Sequence, residues 1–357
     1  MKNLHAETSQ DTGKPALRCP AGCGVHEWLT IDSVLEVQRL LQRLNCLPPD
    51  GAVEEMCIAG EGNMNLTLRV QTSSGSFIVK QARPWVEKYP QIAAPVDRVL
   101  HEIRFYVAVT DYPEVRHCLP ALVGAAPEQY VLVLQDLGPA NDCTRMYNQQ
   151  SESRLTEAQL LELVDWLVAL HGICGIETKA AEFANRELRE LNFQHMFILP
   201  FQTPAVVDLD QITPGLASLA NEVRSDDAVV DRCRWLGQQY LSDCQTLLHG
   251  DFFPGSWLLT GTGVRIIDPE FCFLGRREFD IAVMIAHCRL MGVPDAVIAR
   301  LLQQYQAAAS SIDVGLANQW AAVEILRRLL GVAQLPFPAS LSLKTQHVEW
   351  ALHQLQN

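Results

Sequence analysis

Leu248-His249-Gly250-Asp251-Phe252-Phe253-Pro254-Gly255-Ser256-Trp257 and, a little further on, Ile266-Ile267-Asp268-Pro269-Glu270 decide how this sequence is read. Each aspartate stands at the edge of a short apolar run. Between them, Gly261-Thr262-Gly263 separates Trp257–Thr260 from Val264–Ile267 and predicts a tight β-hairpin. Folding back on that turn would bring Asp251 and Asp268 to the same end of a small sheet. One carboxylate of such a pair can orient a hydroxyl nucleophile and accept its proton, while the other holds Mg²⁺ on the phosphates of a nucleotide. Glu270, two residues beyond Asp268, shares its side where the chain is extended and offers a second metal contact. A single aspartate in a turn is commonplace. The two together, with His249-Gly250 and the hairpin between them, point to chemistry.

Upstream, Phe77-Ile78-Val79-Lys80-Gln81 puts a lysine at the end of an apolar strand, a costly place unless an anion meets it. Glu102, on the helix that follows, can hold the ammonium and direct it at phosphates. Taken alone, Lys80 reads more readily as a snorkelling side chain with its head in water, and the glycine loop, the helix glutamate and the two-aspartate hairpin reverse that reading. Gly60-Glu61-Gly62-Asn63-Met64-Asn65 joins the first strands with small residues whose amides can approach phosphate oxygens. It lacks the Gly-Lys-Ser/Thr ending of a Walker loop and is not a dinucleotide fingerprint.

The chain has 357 residues, 48% of them hydrophobic, which suggests two domains or one domain of two lobes. With 28 basic against 41 acidic residues and a net charge of −13, no nucleic-acid partner is expected, because the overall field repels a phosphate backbone. A phosphorylated ligand would therefore need a local pocket of amides, lysine or metal. The 11 cysteines show no paired CxxC spacing, the first residues lack a signal-peptide stretch, and no apolar run reaches membrane length. These features predict a cytoplasmic protein with no membrane partner. Cys19, Cys23 and His26 lie close together but lack a fourth zinc ligand and tight cysteine pairs. Residues 1–27 read instead as a loose N-terminal arm.

Apolar spacing predicts a helix over Ile31–Leu44, closed by Pro48-Pro49. A β-hairpin follows from alternation at Met64, Leu66, Leu68 and Val70 and the run Phe77–Val79. Then come a helix over about Pro95–Val109 and a buried strand at Tyr130–Leu134. Beyond Leu137-Gly138 the pattern turns helical, with a broad stripe over Glu157–Leu170 and further helices near 216–247, 278–291, 294–312 and 314–331. The expected fold is α+β: a β-rich N-lobe (28–136) and a larger helical C-lobe (137–357), hinged near 134–138, with a ligand in the cleft.

A strand lysine, a helix glutamate, a hinge strand, an HGD loop and a metal aspartate, in that order, resemble the protein-kinase-like fold of the aminoglycoside phosphotransferase and choline kinase superfamily. Within it the sequence is similar to the 5-methylthioribose kinases. The resemblance rests on Gly60–Leu66, Val79–Val86, Asp97-Arg98 with Glu102, His249–Ser256, Asp268–Phe271, and Glu324-Ile325-Leu326-Arg327-Arg328. It implies ATP-dependent transfer of a phosphoryl group to the anomeric hydroxyl of methylthioribose, a step of methionine salvage. Asp251 would be the catalytic base and Asp268 and Glu270 the magnesium ligands. Lys80, held by Glu102, would contact the ATP phosphates beside the loop residues Gly60, Gly62, Asn63 and Asn65. Gln135, Asp136 and Leu137 would fall at the hinge that receives adenine. Arg327 and Arg328 would reach the sugar, although adjacent helix residues point about 100° apart. The resemblance also suggests a homodimer.

The chain departs from that family in places. It is shorter than its usual members, and Phe252-Phe253 replaces Leu-His after HGD. Ser256 stands where most of the wider superfamily has asparagine, so a second magnesium should be weak or differently built. Arg276-Arg277 adds charge before Asp280, which either braces the catalytic loop or caps a helix. The alternatives carried forward are a phosphotransferase acting on an aminoglycoside, choline or homoserine, and a catalytically silent nucleotide-binding protein.

Overall fold

Alternating apolar residues build the first half of the molecule. The computed structural model describes residues 28–60, 64–148, 154–309 and 312–356. Helix α1 (Val34–Arg43) precedes the antiparallel strands β1 (Val53–Ile58), β2 (Leu66–Thr72) and β3 (Gly75–Gln81). A small ribbon, β4 (Trp85–Val86) with β5 (Tyr89–Ala93), leads into α2 (Arg98–Ala108) and the short α3 (Pro113–Arg116). Strands β6 (Leu122–Ala126) and β7 (Val131–Gln135) complete a five-stranded antiparallel sheet ordered β1-β2-β3-β7-β6. The sequence pattern predicts the three central strands and misses β1 and β6. Both are edges whose residues are largely half-buried or exposed, so their apolar alternation is faint.

Period-2 alternation gives this sheet two faces. Leu66, Leu68, Val70, Val79, Val131 and Val133 pack on Val37, Leu40 and Leu41 of α1. Each fully buried aliphatic side chain there contributes roughly 1.5–3 kcal/mol. Lys80 points to the other face, in register with Leu132, where Leu132 and Leu134 share a core with Val99 and Phe105 of α2. That core continues without a break into the helical half.

The second half comprises β8 (Asn141–Asp142), α4 (Glu157–His171), α5 (Arg186–Phe193), α6 (Leu216–Ser225), α7 (Asp227–Leu241), β9 (Thr246–Leu248), β10 (Trp257–Thr260), β11 (Gly263–Ile266), β12 (Phe273–Gly275), α8 (Glu278–Leu290), α9 (Asp295–Ala308), α10 (Val314–Leu330) and α11 (Leu341–Gln356). Thr156 and Gln159 form a reciprocal cap at the start of α4. The region read as helical over 216–247 divides at Asp226, whose carboxylate accepts from Val229 N at 3.1 Å and starts a new helix, and it ends in a strand. Helix α8 is buried on nearly every side and forms the centre on which α10 packs.

Among the described residues no helix is long and apolar enough to cross a membrane, and the described cysteines are free thiols. Cys143, Cys233, Cys272 and Cys288 are buried core fillers. Cys19, Cys23 and His26 lie outside the described residues.

The HGD loop leaves β9, which pairs with β12, and the β10–β11 hairpin folds back so that Trp257 faces Ile266. Gly250 turns the chain at φ +84°, where a Cβ atom would lie 2.1 Å from the Phe271 carbonyl oxygen. Only glycine fits there. Gly250→Ala should therefore lower stability by at least about 1–3 kcal/mol, the scale of a strained backbone residue, before any clash is counted. Thermal unfolding measures this, and an unchanged melting temperature would show that the loop yields freely.

Candidate active site

Three charged groups from three distant segments meet at one ammonium. Lys80 Nζ donates to both carboxylate oxygens of Glu102 at 2.8 and 2.9 Å and to Asp268 Oδ1 at 2.7 Å. Glu102 is fully buried and Lys80 nearly so, while the Asp268 side chain keeps 44% of its surface exposed. Burial alone would strip the lysine of its proton, but Asp268, Glu102 and Glu270 outweigh it and hold the pKa well above the ordinary lysine value. The amine is thus a permanent cation with one exposed carboxylate beside it. Asp268 sits in the left-handed region at φ 63°, which aspartate tolerates better than most residues.

The HGD loop is held from below. Asp280 Oδ2 and Oδ1 accept from His249 N and Gly250 N at 2.8 and 2.9 Å, and Oδ2 also meets His171 Nε2 at 3.2 Å. Asp280, at the start of α8, therefore braces the loop. His249 Nε2 reaches the Ile267 carbonyl at 3.0 Å, which fixes the proton on Nε2 and leaves Nδ1 to accept from Asp251 N at 3.3 Å. One imidazole thereby ties the loop of Asp251 to the strand end that carries Asp268. Burial pushes its pKa down and keeps it neutral. Phe252 stacks on Trp166, 5.4 Å between centroids. Ser256, buried, donates to the Asp251 carbonyl at 3.0 Å, so its hydroxyl serves the loop.

Asp251 faces α10. Arg328 NH2 lies 3.8 Å from Asp251 Oδ1, an ion pair beyond hydrogen-bond reach. Arg328 Nε donates to Glu324 Oε1 at 2.6 Å and Arg327 NH1 to Glu324 Oε2 at 3.0 Å. The two guanidiniums thus converge on one buried carboxylate despite pointing in different directions from the helix. Burial raises the Asp251 pKa to about 6, with Arg328 and Arg327 pulling the other way. The Asp251 side chain remains 24% exposed, enough for a small molecule to reach it.

Asn65 and Glu270 belong to a different arrangement from the one the sequence suggests. Asn65 Nδ2 donates to Glu270 Oε2 at 2.7 Å, and its Oδ1 accepts from Arg98 Nε at 2.9 Å. Arg98, 0% exposed at the start of α2, also donates to the carbonyls of Arg83, Pro95 and Met64 at 2.8, 2.6 and 2.8 Å and lies 3.4 Å from Glu270. Both polar ends of Asn65 are spent inside the protein, and one oxygen of the Glu270 carboxylate is committed to Asn65 and faces Arg98. Among the described residues no group of three or more His, Cys, Asp or Glu side chains is arranged to hold a metal.

At the hinge, Gln135 N is bonded to the Ala121 carbonyl at 2.8 Å. The Asp136 side chain clamps Arg69 at 2.8 and 3.0 Å, Ser76 at 2.5 Å and Gly138 N at 2.9 Å. Leu137 has no backbone hydrogen bond among the described residues. Gly60 adopts φ +67° at the end of β1, while Gly62 and Asn63 lie outside the described residues. Arg276 is exposed and Arg277 half-buried, and the Tyr305 hydroxyl meets His171 Nδ1 at 2.7 Å. The pattern gave no sign of Tyr147 and His287, which stand behind Glu324 and come from segments far apart in the chain.

These elements define a protein-kinase-like phosphotransferase fold. The chain belongs to the phosphotransferase enzyme family, whose model matches residues 55–314. It is 26% identical over 251 residues to a methylthioribose kinase of Escherichia coli, covering 68% of this chain and 59% of that protein. It thus spans about six-tenths of that curated relative. Among solved structures it resembles spectinomycin phosphotransferase in complex with ADP and spectinomycin, with a TM-score of 0.53, 14% identity and 90% and 98% of the two chains covered. Choline kinase of Streptococcus pneumoniae gives a TM-score of 0.51 at 11% identity, covering 90% and 98%.

The environment of Glu270 separates a structural part from a metal-binding one. Glu270→Ala would strand the buried Arg98 charge, a change that costs about 3–5 kcal/mol when one partner of a buried pair is removed. We expect this loss in denaturant unfolding without any Mg²⁺. A stability equal to wild type in metal-free buffer would mean that Glu270 does not support the fold.

Proposed function

We propose that this protein is an ATP-dependent small-molecule kinase whose acceptor is a sugar hydroxyl, with 5-methylthioribose, phosphorylated at its anomeric position, as the substrate that best fits. The observation that carries this reading is the placement of Lys80 between Glu102 and Asp268, on the far side of the His249 bridge from Asp251. Lys80 would neutralise phosphate oxygens, since its ammonium is charged at any physiological pH. The backbone of Leu137 offers the hinge contact for adenine.

The donor set suits Mg²⁺ in part. Asp268 has an exposed carboxylate with one oxygen free of Lys80, and magnesium bound with a nucleotide commonly takes one or two carboxylates and completes its shell with phosphates and water. Glu270 would join it only by giving up Asn65 or by using its second oxygen. The ion supplies charge neutralisation on the transferred group. Asp251 would orient the acceptor hydroxyl and take its proton, and a carboxylate raised to about 6 is a better base than an ordinary one while still ionised at neutral pH. The sugar assignment draws on the Arg327-Arg328 pair and on the likeness to methylthioribose kinases.

Asp251→Ala should abolish turnover in a coupled ATP-consumption assay with methylthioribose while nucleotide binding by calorimetry persists. In the unaltered enzyme the base works only when deprotonated. Activity should thus be lost as pH falls through about 6 and be full above it, read from kcat/KM against pH. Retained turnover in the alanine variant would remove the assignment of the base. Arg327→Ala should raise KM for the sugar about tenfold or more and leave KM for ATP nearly unchanged. Equal effects on both would reject the sugar-site reading.

A further inference from the structure

A buried chain of polar side chains ends at Glu324 of α10, the residue that Arg328 bonds beside Asp251. The Tyr147 hydroxyl lies 2.6 Å from His287 Nδ1, and His287 Nε2 lies 3.0 Å from Glu324 Oε1. Tyr147, His287 and Glu324 are essentially without solvent exposure. Burial pushes the His287 pKa down to about 4, so the ring is neutral with its single proton on Nε2, facing the carboxylate, and Nδ1 accepts from the tyrosine. Glu324 Oε1 receives both His287 Nε2 and Arg328 Nε, while Oε2 receives Arg327. Phe253 closes the other side, with the Arg328 guanidinium 4.9 Å from its ring centre and the His287 ring 5.4 Å away.

The geometry has a consequence for the base. An arginine beside an aspartate ordinarily closes to a forked pair with two hydrogen bonds. Here Glu324 draws Nε to 2.6 Å and NH2 stops 3.8 Å from Asp251, so no Asp251 oxygen is covered by a guanidinium hydrogen bond. We infer that Glu324, anchored by His287 and Tyr147, is a positioning residue that holds Arg328 off Asp251, leaving the carboxylate open to the acceptor hydroxyl and the guanidinium's terminal nitrogens turned toward the acceptor. The catalytic part of this inference rests on the kinase reading above. The charged and titratable groups that act on Asp251 include Arg327, Arg328 and Glu324 of α10, Tyr240 of α7, Tyr147 at the end of the 143–147 turn, Glu270 of the 269–271 turn, and His249, whose Nδ1 accepts from Asp251 N. Of these, only Glu324 bonds both arginines.

The test replaces the charge and keeps the shape. In Glu324→Gln the arginine loses its anionic partner and should close on Asp251. The Asp251 carboxyl, followed by carbon-13 NMR in aspartate-labelled protein and assigned with Asp251→Asn, should then titrate at lower pH than in wild type. In the kinase assay the acid limb should move the same way and kcat should fall about 10–100-fold, the scale of a misplaced reacting group, with KM for ATP unchanged. Loss of the Glu324 charge by itself lowers the Asp251 titration, because that carboxylate raises it. The discriminating variant is therefore Tyr147→Phe, which leaves every charge in place: a purely structural role would lower its melting temperature without moving the Asp251 titration. A folded Glu324→Gln protein with an unmoved titration overturns the inference. Whether or not Glu324→Gln folds, Tyr147→Phe, which deletes one hydroxyl at the end of the relay, must shift the Asp251 titration in the same direction, and an unmoved titration overturns the inference equally. The NMR measurement needs no turnover. A wild-type protein inactive on every acceptor would thus count against the kinase reading, and an unmoved titration against the relay.

Discussion

Placing the Lys80 ammonium in a nearly dry site is the physical constraint around which the rest is arranged. A lone buried charge is expensive, and the lysine remains protonated only because Glu102 and Asp268 face it at hydrogen-bond distance. Meeting that requirement joins β3, α2 and the segment after β11, three parts of the chain that share no local sequence signal. The sheet, the helix packed on it and the β10–β11 hairpin cannot shift independently without exposing an unpaired charge. Specificity of arrangement, more than net stability, is what such a buried triad supplies.

Around that node the site is layered. Asp280 and His249 shape the loop of Asp251 through backbone contacts, and Arg98 and Asn65 hold Glu270 on the opposite flank. Behind α10, Glu324 gathers both arginines. Each reactive group is thus positioned by a buried polar partner that itself has its hydrogen bonds satisfied, which keeps the geometry rigid in a molecule whose net charge is −13. Positive charge in the cleft is concentrated in a few side chains, each matched by a carboxylate.

Legibility in the sequence followed the range over which each signal acts. The β2–β3 hairpin, α4 and the β10–β11 hairpin were readable because a period of two or 3.6 residues and a glycine turn are local properties. The edge strands β1 and β6 were not, since a strand covered on one side only needs no strict alternation. Helices α5 and α11 were passed over for a related reason: each buries a narrow stripe among many polar residues. Asn65 and Glu270 read in sequence as nucleotide- and metal-facing groups from their places beside the glycine loop and Asp268, and their contacts with each other and with Arg98 were not legible there. Arg98, an arginine in the first turn of a helix, gives no hint in sequence that it is wholly enclosed and claims them both.

By itself the sequence determined which chemical groups exist and in what order they emerge: the lysine, the helix glutamate, the two aspartates astride a hairpin, and the arginine pair. Those follow from residue type and short-range spacing, and they were enough to indicate the family and the α+β architecture. Only the tertiary structure decided which carboxylates are free and which are already taken, that both arginines share Glu324, and that Tyr147 and His287 stand behind them. The sharing of Glu324 by Arg327 and Arg328 spans only three and four residues, but Tyr147 meets His287 across 140 residues and Asn65 meets Glu270 across 205, and no local pattern carries that information.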